Sequence, residues 1–317
     1  MIAGELLLVY VLDAVLGDPR WLPHPVRLIG WMIAWYENRV RCIVQGPIGE
    51  RMAGIVLALG MPTLAYTGGW LTIELAGRAH MLLGVVAWVL LAWTTLAARD
   101  LADQALAVRH AMEQGSLQQA RRAVAQIVGR DTAQLSESEV VRAAVETVAE
   151  STSDGVIAPL FFLTLGGPPA ALAYKAINTL DSMVGHPEEK YRHLGWASAR
   201  LDDVANWVPA RITALLLVLA AGVVSRSIGT MRQAWRILLR DGHKHPSPNS
   251  GRPEAAMAGA LQVQLGGTNL YGGRVEQRLY LGDPHVPLRQ SHITEAVTLM
   301  WMTAFLGVVL AMGLLVL

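Results

Sequence analysis

Three stretches without a charged side chain constrain this chain more than any other feature of its sequence. Residues 53–73, 79–98 and 296–317 contain no Asp, Glu, Lys or Arg. At about 1.5 Å of rise per residue, each is long enough as a helix to cross a hydrocarbon core about 30 Å thick. Backbone amides inside lipid find no water, so a helix that satisfies them internally is the form such stretches must take. Charged residues are 16% of the 317, against roughly 25% in an ordinary soluble chain. Too few polar side chains remain to coat a surface in water. The sequence therefore predicts an all-α, polytopic integral membrane protein.

Other classes fall away quickly. The net charge of +1 offers no electrostatic footprint for nucleic acid. Cys42 stands alone, which excludes an intramolecular disulfide framework. The first 17 residues carry Glu5 and Asp13 inside their apolar run and lack a basic leader, so they read as a short first span rather than a signal peptide. Two further segments are imperfect. Residues 156–173 are interrupted by Pro159 and by Gly166-Gly167-Pro168-Pro169, and residues 212–224 are short. The expectation is one membrane domain, 1–317, with about five or six membrane segments, some broken or re-entrant, plus cytoplasmic helices and loops.

Basic residues orient such a chain. Residues 18–52 hold five Lys or Arg, 99–155 six and 225–296 nine, whereas the turn predicted at 74–78 holds only Arg78. The segments 18–52, 99–155 and 225–296 are accordingly expected in the cytoplasm, with 74–78 a tight external turn. Residues 175–211, with five basic residues, lie outside if both flanking segments cross and inside if both are re-entrant. Lipid cannot satisfy the backbone freed by Gly-Gly-Pro-Pro, which favours the re-entrant form. Apolar spacing predicts a helical hairpin from 101–114 and 117–128, and an interfacial helix over 225–240.

The polar residues gather into four clusters. Gly17-Asp18-Pro19-Arg20-Trp21-Leu22-Pro23-His24-Pro25-Val26-Arg27 is a proline-stiffened loop offering Arg20, His24 and Arg27 to anionic oxygens. Juxtamembrane anchoring is the plainer alternative. Ser136 and Glu139 form a capping box, and the helix it starts carries Arg142, Glu146, Glu150 and Asp154 on one face. Such an acidic stripe is either a solvated face or a place for a divalent cation, since Mg²⁺ takes one or two carboxylates with water and phosphate oxygens. Lys175, Asn178 and Asp181 share a third face, followed by Arg200, Asp202, Asp203 and Asn206. Ion pairing of Arg200 with Asp203 accounts for part of that run. In the fourth cluster, His245-Pro246-Ser247-Pro248-Asn249-Ser250-Gly251-Arg252-Pro253-Glu254 leads into a helix whose first turn holds proline. Its exposed N–H groups with Ser247, Asn249, Ser250 and Arg252 suit an anion or phosphate, although the same residues are ordinary turn formers. The glycine-rich run 266–273 that follows permits close backbone approach to a ligand. No P-loop, dinucleotide fingerprint, nucleophile elbow or His-Glu-x-x-His motif is present.

These motifs, with Gly129-Arg130-Asp131-Thr132, Glu146-Thr147-Val148-Ala149-Glu150-Ser151 and Asn178-Thr179-Leu180-Asp181-Ser182, resemble the adenosylcobinamide-phosphate synthases of cobalamin biosynthesis, the CobD/CbiB family, along nearly the whole chain. The resemblance implies a multi-pass protein of the cytoplasmic (inner) membrane. Its implied activity is the joining of adenosylcobyric acid to aminopropanol or its phosphate, an amide ligation using ATP and Mg²⁺. On that reading Glu146, Glu150 and Asp181 hold Mg²⁺. Lys175, Arg252, Asn249 and Ser250 steady phosphate charge, and Asp203 deprotonates the attacking amine. Arg20 and His24 hold the aminopropanol phosphate, with Arg27, Asn178, Asn206, Ser247, Glu254 and Asn269 as further substrate contacts. The implied partners are the corrinoid and amine substrates, the lipid bilayer and other cobalamin-assembly enzymes, with no nucleic acid. A transporter or channel, or a catalytically inactive sensor related to the enzyme, is the competing class; the absence of a repeat pair and the placing of polar residues in long loops count against transport.

Overall fold

The computed structural model describes residues 3–18, 24–186 and 188–316. In chain order the helices are α1 (Ala3–Leu16), α2 (Pro25–Ile43), α3 (Pro47–Ala79), α4 (Met81–Trp93), α5 (Ala98–Glu113), α6 (Leu117–Val124) and α7 (Glu137–Thr152). A π-helical turn, Ser153–Ile157, leads into α8 (Ala158–Val184), followed by α9 (Trp196–Ala205), α10 (Trp207–Ser225), α11 (Ile228–Asp241) and α12 (Gly251–Leu261). A two-stranded hairpin, β1 (Leu265–Tyr271) and β2 (Arg274–Leu281), precedes the last helix, α13 (Ser291–Val316).

Among the described residues, five helical stretches are long and apolar enough to cross a membrane: Pro47–Ala79, Met81–Glu113, Glu137–Val184, Trp207–Ser225 and Ser291–Val316. The chain is an all-α polytopic membrane protein. Its first helix, at 14 residues, spans only about 21 Å, short of a hydrocarbon core by itself. The capping box at Ser136 and Glu139 is present, as is the α5–α6 hairpin.

Two local expectations are corrected. The tight turn predicted at 74–78 is helical, because α3 continues to Ala79 and Arg78 pairs with Glu74 at 2.9 Å one turn back. The reversal falls at His80, whose Nδ1 accepts the Leu82 amide and caps α4. The glycine-rich run 266–273 folds as most of β1 and the turn that follows it. Gly272 and Gly273 adopt φ of +54° and +76°, the left-handed pair that a two-residue hairpin turn demands, and Tyr271 pairs with Arg274 across it. The helix predicted from 225 begins at Ile228 because Ser227 takes the cap, accepting the Thr230 amide.

The chain divides into two compact units. The first comprises Met1–Ala97, Ala158–Asn206 and Leu310–Leu317; the second comprises Ala98–Ile157 and Trp207–Val309. In the first unit α2, α3 and α8 pack through Ile29, Ile33, Leu57, Met61, Ala176, Leu180 and Val184. This core lies on the C-terminal half of α8, beyond a break where Gly167 holds φ of +67° and Pro168 and Pro169 start a new helical run. The prolines remove donors that an unbroken helix would need, and the break lets the second half present Lys175, Asn178 and Asp181 in its own direction. In the second unit α10, α11 and α12 pack together, with α7 against α5, α6 and α12. Gly259 on α12 makes that packing tight: a Cβ there would lie 2.7 Å from Ala234 Cα of α11.

Candidate functional site

In the first unit the polar residues of α8 meet those of α9. Asn206 ends α9 and is buried; its amide donates to Asp202 Oδ2 at 3.0 Å, and its carbonyl accepts from the fully buried Tyr174 hydroxyl at 2.9 Å. Asp202 Oδ1 is buried with no hydrogen-bond partner among the described residues. Burial first, and then the charge of Asp181, push the Asp202 carboxyl up to about 7 against the hydrogen bonds of Asn206 and Asn178. Two carboxylates and two carboxamides thus sit together, one carboxylate oxygen unsatisfied. Asp203 follows Asp202 in α9. It pairs with Arg200 at 3.6 Å, and burial raises its carboxyl against that neighbour's pull.

His24 in the same unit has a structural task. Its Nδ1 accepts the Val26 amide at 3.3 Å and caps α2, while Nε2 lies 3.4 Å from Asp18, which is also 3.9 Å from Arg27. Arg20 lies outside the described residues.

The second unit holds a denser ionic site, built by α7, the 127–131 loop, the N-terminus of α12 and the hairpin. Glu146 accepts from Arg130 Nη1 at 2.8 Å and from the Gly266 amide at 2.8 Å. The same Arg130 nitrogen donates to Asn269 Oδ1, which also accepts from Arg142 Nη2 at 3.1 Å. Arg142 goes on to the Thr268 carbonyl at 2.8 Å, tying α7 to β1. One turn beyond Glu146, Glu150 accepts from the Ser250 hydroxyl at 2.7 Å. Glu146 is therefore tied to the hairpin, and the exposed Glu150 to the loop before α12.

That loop does use its own turn chemistry. Ser247 Oγ accepts the amides of Asn249 and Ser250 at 3.2 and 3.3 Å, and His245 Nδ1 accepts the Ser247 amide at 3.0 Å. Asn249 is buried, and the Arg252 amide donates to its carbonyl at 3.1 Å. Arg252 Nε is buried without a hydrogen-bond partner among the described residues. Glu254 is buried with His245 Nε2 at 3.8 Å. Burial first, and then the charges of Glu146 and Glu150, raise its carboxyl well above the usual range, whereas burial and the Arg278 charge lower the His245 imidazole. A cavity of about 100 Å³ lies among Arg130, Glu146, Glu150, Glu254, Tyr271 and Arg278.

Of the residues singled out in the sequence, the second unit brings together Glu146, Glu150, Ser247, Asn249, Ser250, Arg252, Glu254 and Asn269. The first holds His24, Arg27, Lys175, Asn178, Asp181, Asp203 and Asn206. Sequence reasoning passed over Asp202, Arg130, Arg142, His245, Tyr271 and Arg278 as site residues. Arg130 stood inside a quoted motif, but Tyr271 and Arg278 needed the hairpin register to be seen. Among the described residues no three His, Cys, Asp or Glu side chains form a metal-binding group.

A polytopic helical membrane protein with buried acid–amide and acid–arginine clusters is the class that fold and site define. Such clusters are expensive beside lipid and persist where chemistry uses them. The family model described as CobD/Cbib protein matches residues 6–300, and the chain belongs to that family. It is 53% identical to "Cobalamin biosynthesis protein CobD" of Geobacter metallireducens over 310 residues, covering 98% of this chain and 96% of the relative. It is 46% identical to the CobD protein of Klebsiella pneumoniae, covering 96% and 94%, and 44% identical to "Cobalamin biosynthesis protein CbiB" of Salmonella typhimurium, covering 95% and 93%. No solved structure matches the chain.

Proposed function

We propose that this chain, a cobalamin biosynthesis protein of the CobD/CbiB family, joins adenosylcobyric acid to aminopropanol or its phosphate as an amide, at the cytoplasmic membrane and with consumption of ATP. Family membership across residues 6–300 is the observation that carries this reading. A carboxylate is a poor acyl donor in water, so its oxygen must first accept a phosphoryl or adenylyl group from ATP. The amine nitrogen then forms the C–N bond as the activated oxygen leaves with its phosphate, and the nitrogen gives up a proton.

The protein's part is to position and to stabilise charge. Asp181 and Asp202, with the carboxamides of Asn178 and Asn206, form a set of hard oxygen donors that fits Mg²⁺, and the unsatisfied Asp202 Oδ1 supplies a place for it. When bound, Mg²⁺ neutralises charge on the transferring phosphoryl oxygens. Glu146 and Glu150, the other carboxylates in the metal reading, already serve Arg130, the Gly266 amide and Ser250. Their part in metal binding would add to that role. Lys175 in the first unit and Arg252 in the second each offer positive charge to phosphate. Asp203, with its raised carboxyl, accepts the amine proton.

Purified protein in detergent, given adenosylcobyric acid, aminopropanol or its phosphate, and Mg-ATP, is expected to form the amide detectable by mass spectrometry. No product with either amine would overturn the reading and favour a transporter or an inactive sensor. Running the two amines separately identifies which one is used, and ADP against AMP identifies the activation step.

A further inference from the structure

The ionic cavity of the second unit is lined by Arg130, Tyr271 and Arg278, to which the ligase chemistry above gives no part. Arg130 lines it. The side chain is 5% exposed, yet only Nη1 is engaged, with Glu146 and Asn269. Nε and Nη2 are buried without hydrogen-bond partners among the described residues. Guanidinium donors left unmade inside a protein cost free energy unless something accepts from them. Arg278 and Tyr271 line the same cavity from the hairpin, joined by a hydrogen bond of 2.7 Å from Arg278 Nη2 to the tyrosine oxygen. The lining also holds the acids Glu146, Glu150 and Glu254. The cavity therefore combines a guanidinium with spare donors and carboxyl groups.

Its size narrows the occupant. About 100 Å³ equals roughly three water molecules at about 30 Å³ each. That admits a phosphate head on a short chain. Arginine matches phosphate through paired N–H donors, and the Glu150 carboxylate in the same lining suits an ammonium group. We infer that the Arg130–Arg278–Tyr271 cavity binds a small phosphorylated amine, with the phosphate on Arg130 and Arg278 and the ammonium on Glu150. This rests on the ligase reading only in taking that amine to be a substrate; the binding site itself is argued from the cavity. It assigns the amine's phosphate to the second unit rather than to His24, whose imidazole caps α2.

The test needs no catalysis. Calorimetric titration of the detergent-purified full chain with O-phosphoethanolamine, inorganic phosphate and ethanolamine, without ATP or corrinoid, compares the three probes. O-phosphoethanolamine is expected to bind at least tenfold tighter than inorganic phosphate. Arg130→Gln is expected to weaken both phosphate-bearing probes at least tenfold, and Glu150→Gln to remove the preference for the amine while sparing inorganic phosphate. Should Arg130→Gln fail to fold, Arg278→Gln reads the same loss from the hairpin. Absence of binding by the natural chain, equal affinity for phosphate and O-phosphoethanolamine, or unchanged affinity in both folded arginine variants would overturn the proposal. Loss of ligation with these binding results intact would instead overturn the ligase reading alone.

Discussion

Replacing Asp202 by Asn removes a carboxyl that the fold holds protonated far above its ordinary range. Its pKa is about 7 in the folded chain against 3.8 for a free aspartate, through burial first and then the neighbouring Asp181 charge. Between those values the folded chain keeps a proton that the unfolded chain has released. Stability from this group is therefore greatest below about pH 4 and declines as pH rises toward about 7. The gap between 3.8 and about 7 corresponds to roughly 4 kcal/mol. Asn cannot ionise, and its carboxamide oxygen can still accept the Asn206 amide. The Asp202→Asn variant should thus gain on the natural chain by about 4 kcal/mol between pH 4 and pH 7.5, on the order of 8 °C in melting midpoint at about 2 °C per kcal/mol. Tryptophan fluorescence melts in detergent, taken across that range for both chains, measure the difference directly. Midpoints that stay parallel at every pH would show that Asp202 titrates normally and that the acid pair with Asp181 is not formed.

Other outcomes follow from the same contacts. At pH 8, Mg²⁺ should raise the midpoint of the natural chain and leave Asp202→Asn unmoved; equal shifts would remove Asp202 from the metal site. Glu146→Gln should cost about 3–5 kcal/mol, because it leaves the buried Arg130 without its anion. The double variant with Arg130→Gln should cost less than the sum by at least 1 kcal/mol, which a double-mutant cycle from denaturant melts checks. Gly167→Ala should lower the yield of folded protein, since φ of +67° costs an L-residue roughly 1–2 kcal/mol; size-exclusion chromatography of the purified variant reads it. Ser136→Ala should cost about 1 kcal/mol through the lost cap of α7 without altering product formation, and a large loss of activity there would place catalysis nearer that helix end.

Local regularities were legible in the sequence wherever a local rule governs them. The capping box of α7 needs only Ser136 and Glu139 three residues apart, and the break at Gly166-Gly167-Pro168-Pro169 follows from missing donors. The face shared by Lys175, Asn178 and Asp181 follows from helical spacing alone. The 74–78 turn was misplaced for an equally local reason. Charge was read as a helix end, when Glu74 and Arg78 one turn apart support a helix that continues.

The site was less legible because its partners are far apart in the chain. Glu146 and Gly266 are 120 positions apart, and Arg130 and Asn269 are 139 apart. No periodicity links them, and the hairpin that carries Asn269, Tyr271 and Arg278 was hidden in a glycine-rich run. Asp202 shows the same thing on a smaller scale. In the sequence it is one acid in a polar run, and only burial beside Asp181 and Asn206 changes its proton affinity.

What the sequence determined by itself was the solvent. Stretches free of charge and long enough to span lipid leave no alternative to membrane helices, because each backbone amide must be satisfied within its own segment. What the tertiary structure alone decided was the electrostatics. It set which acid meets arginine, which meets another acid, and which guanidinium is left with unused donors. Those outcomes depend on distance and desolvation between residues that the linear chain keeps apart.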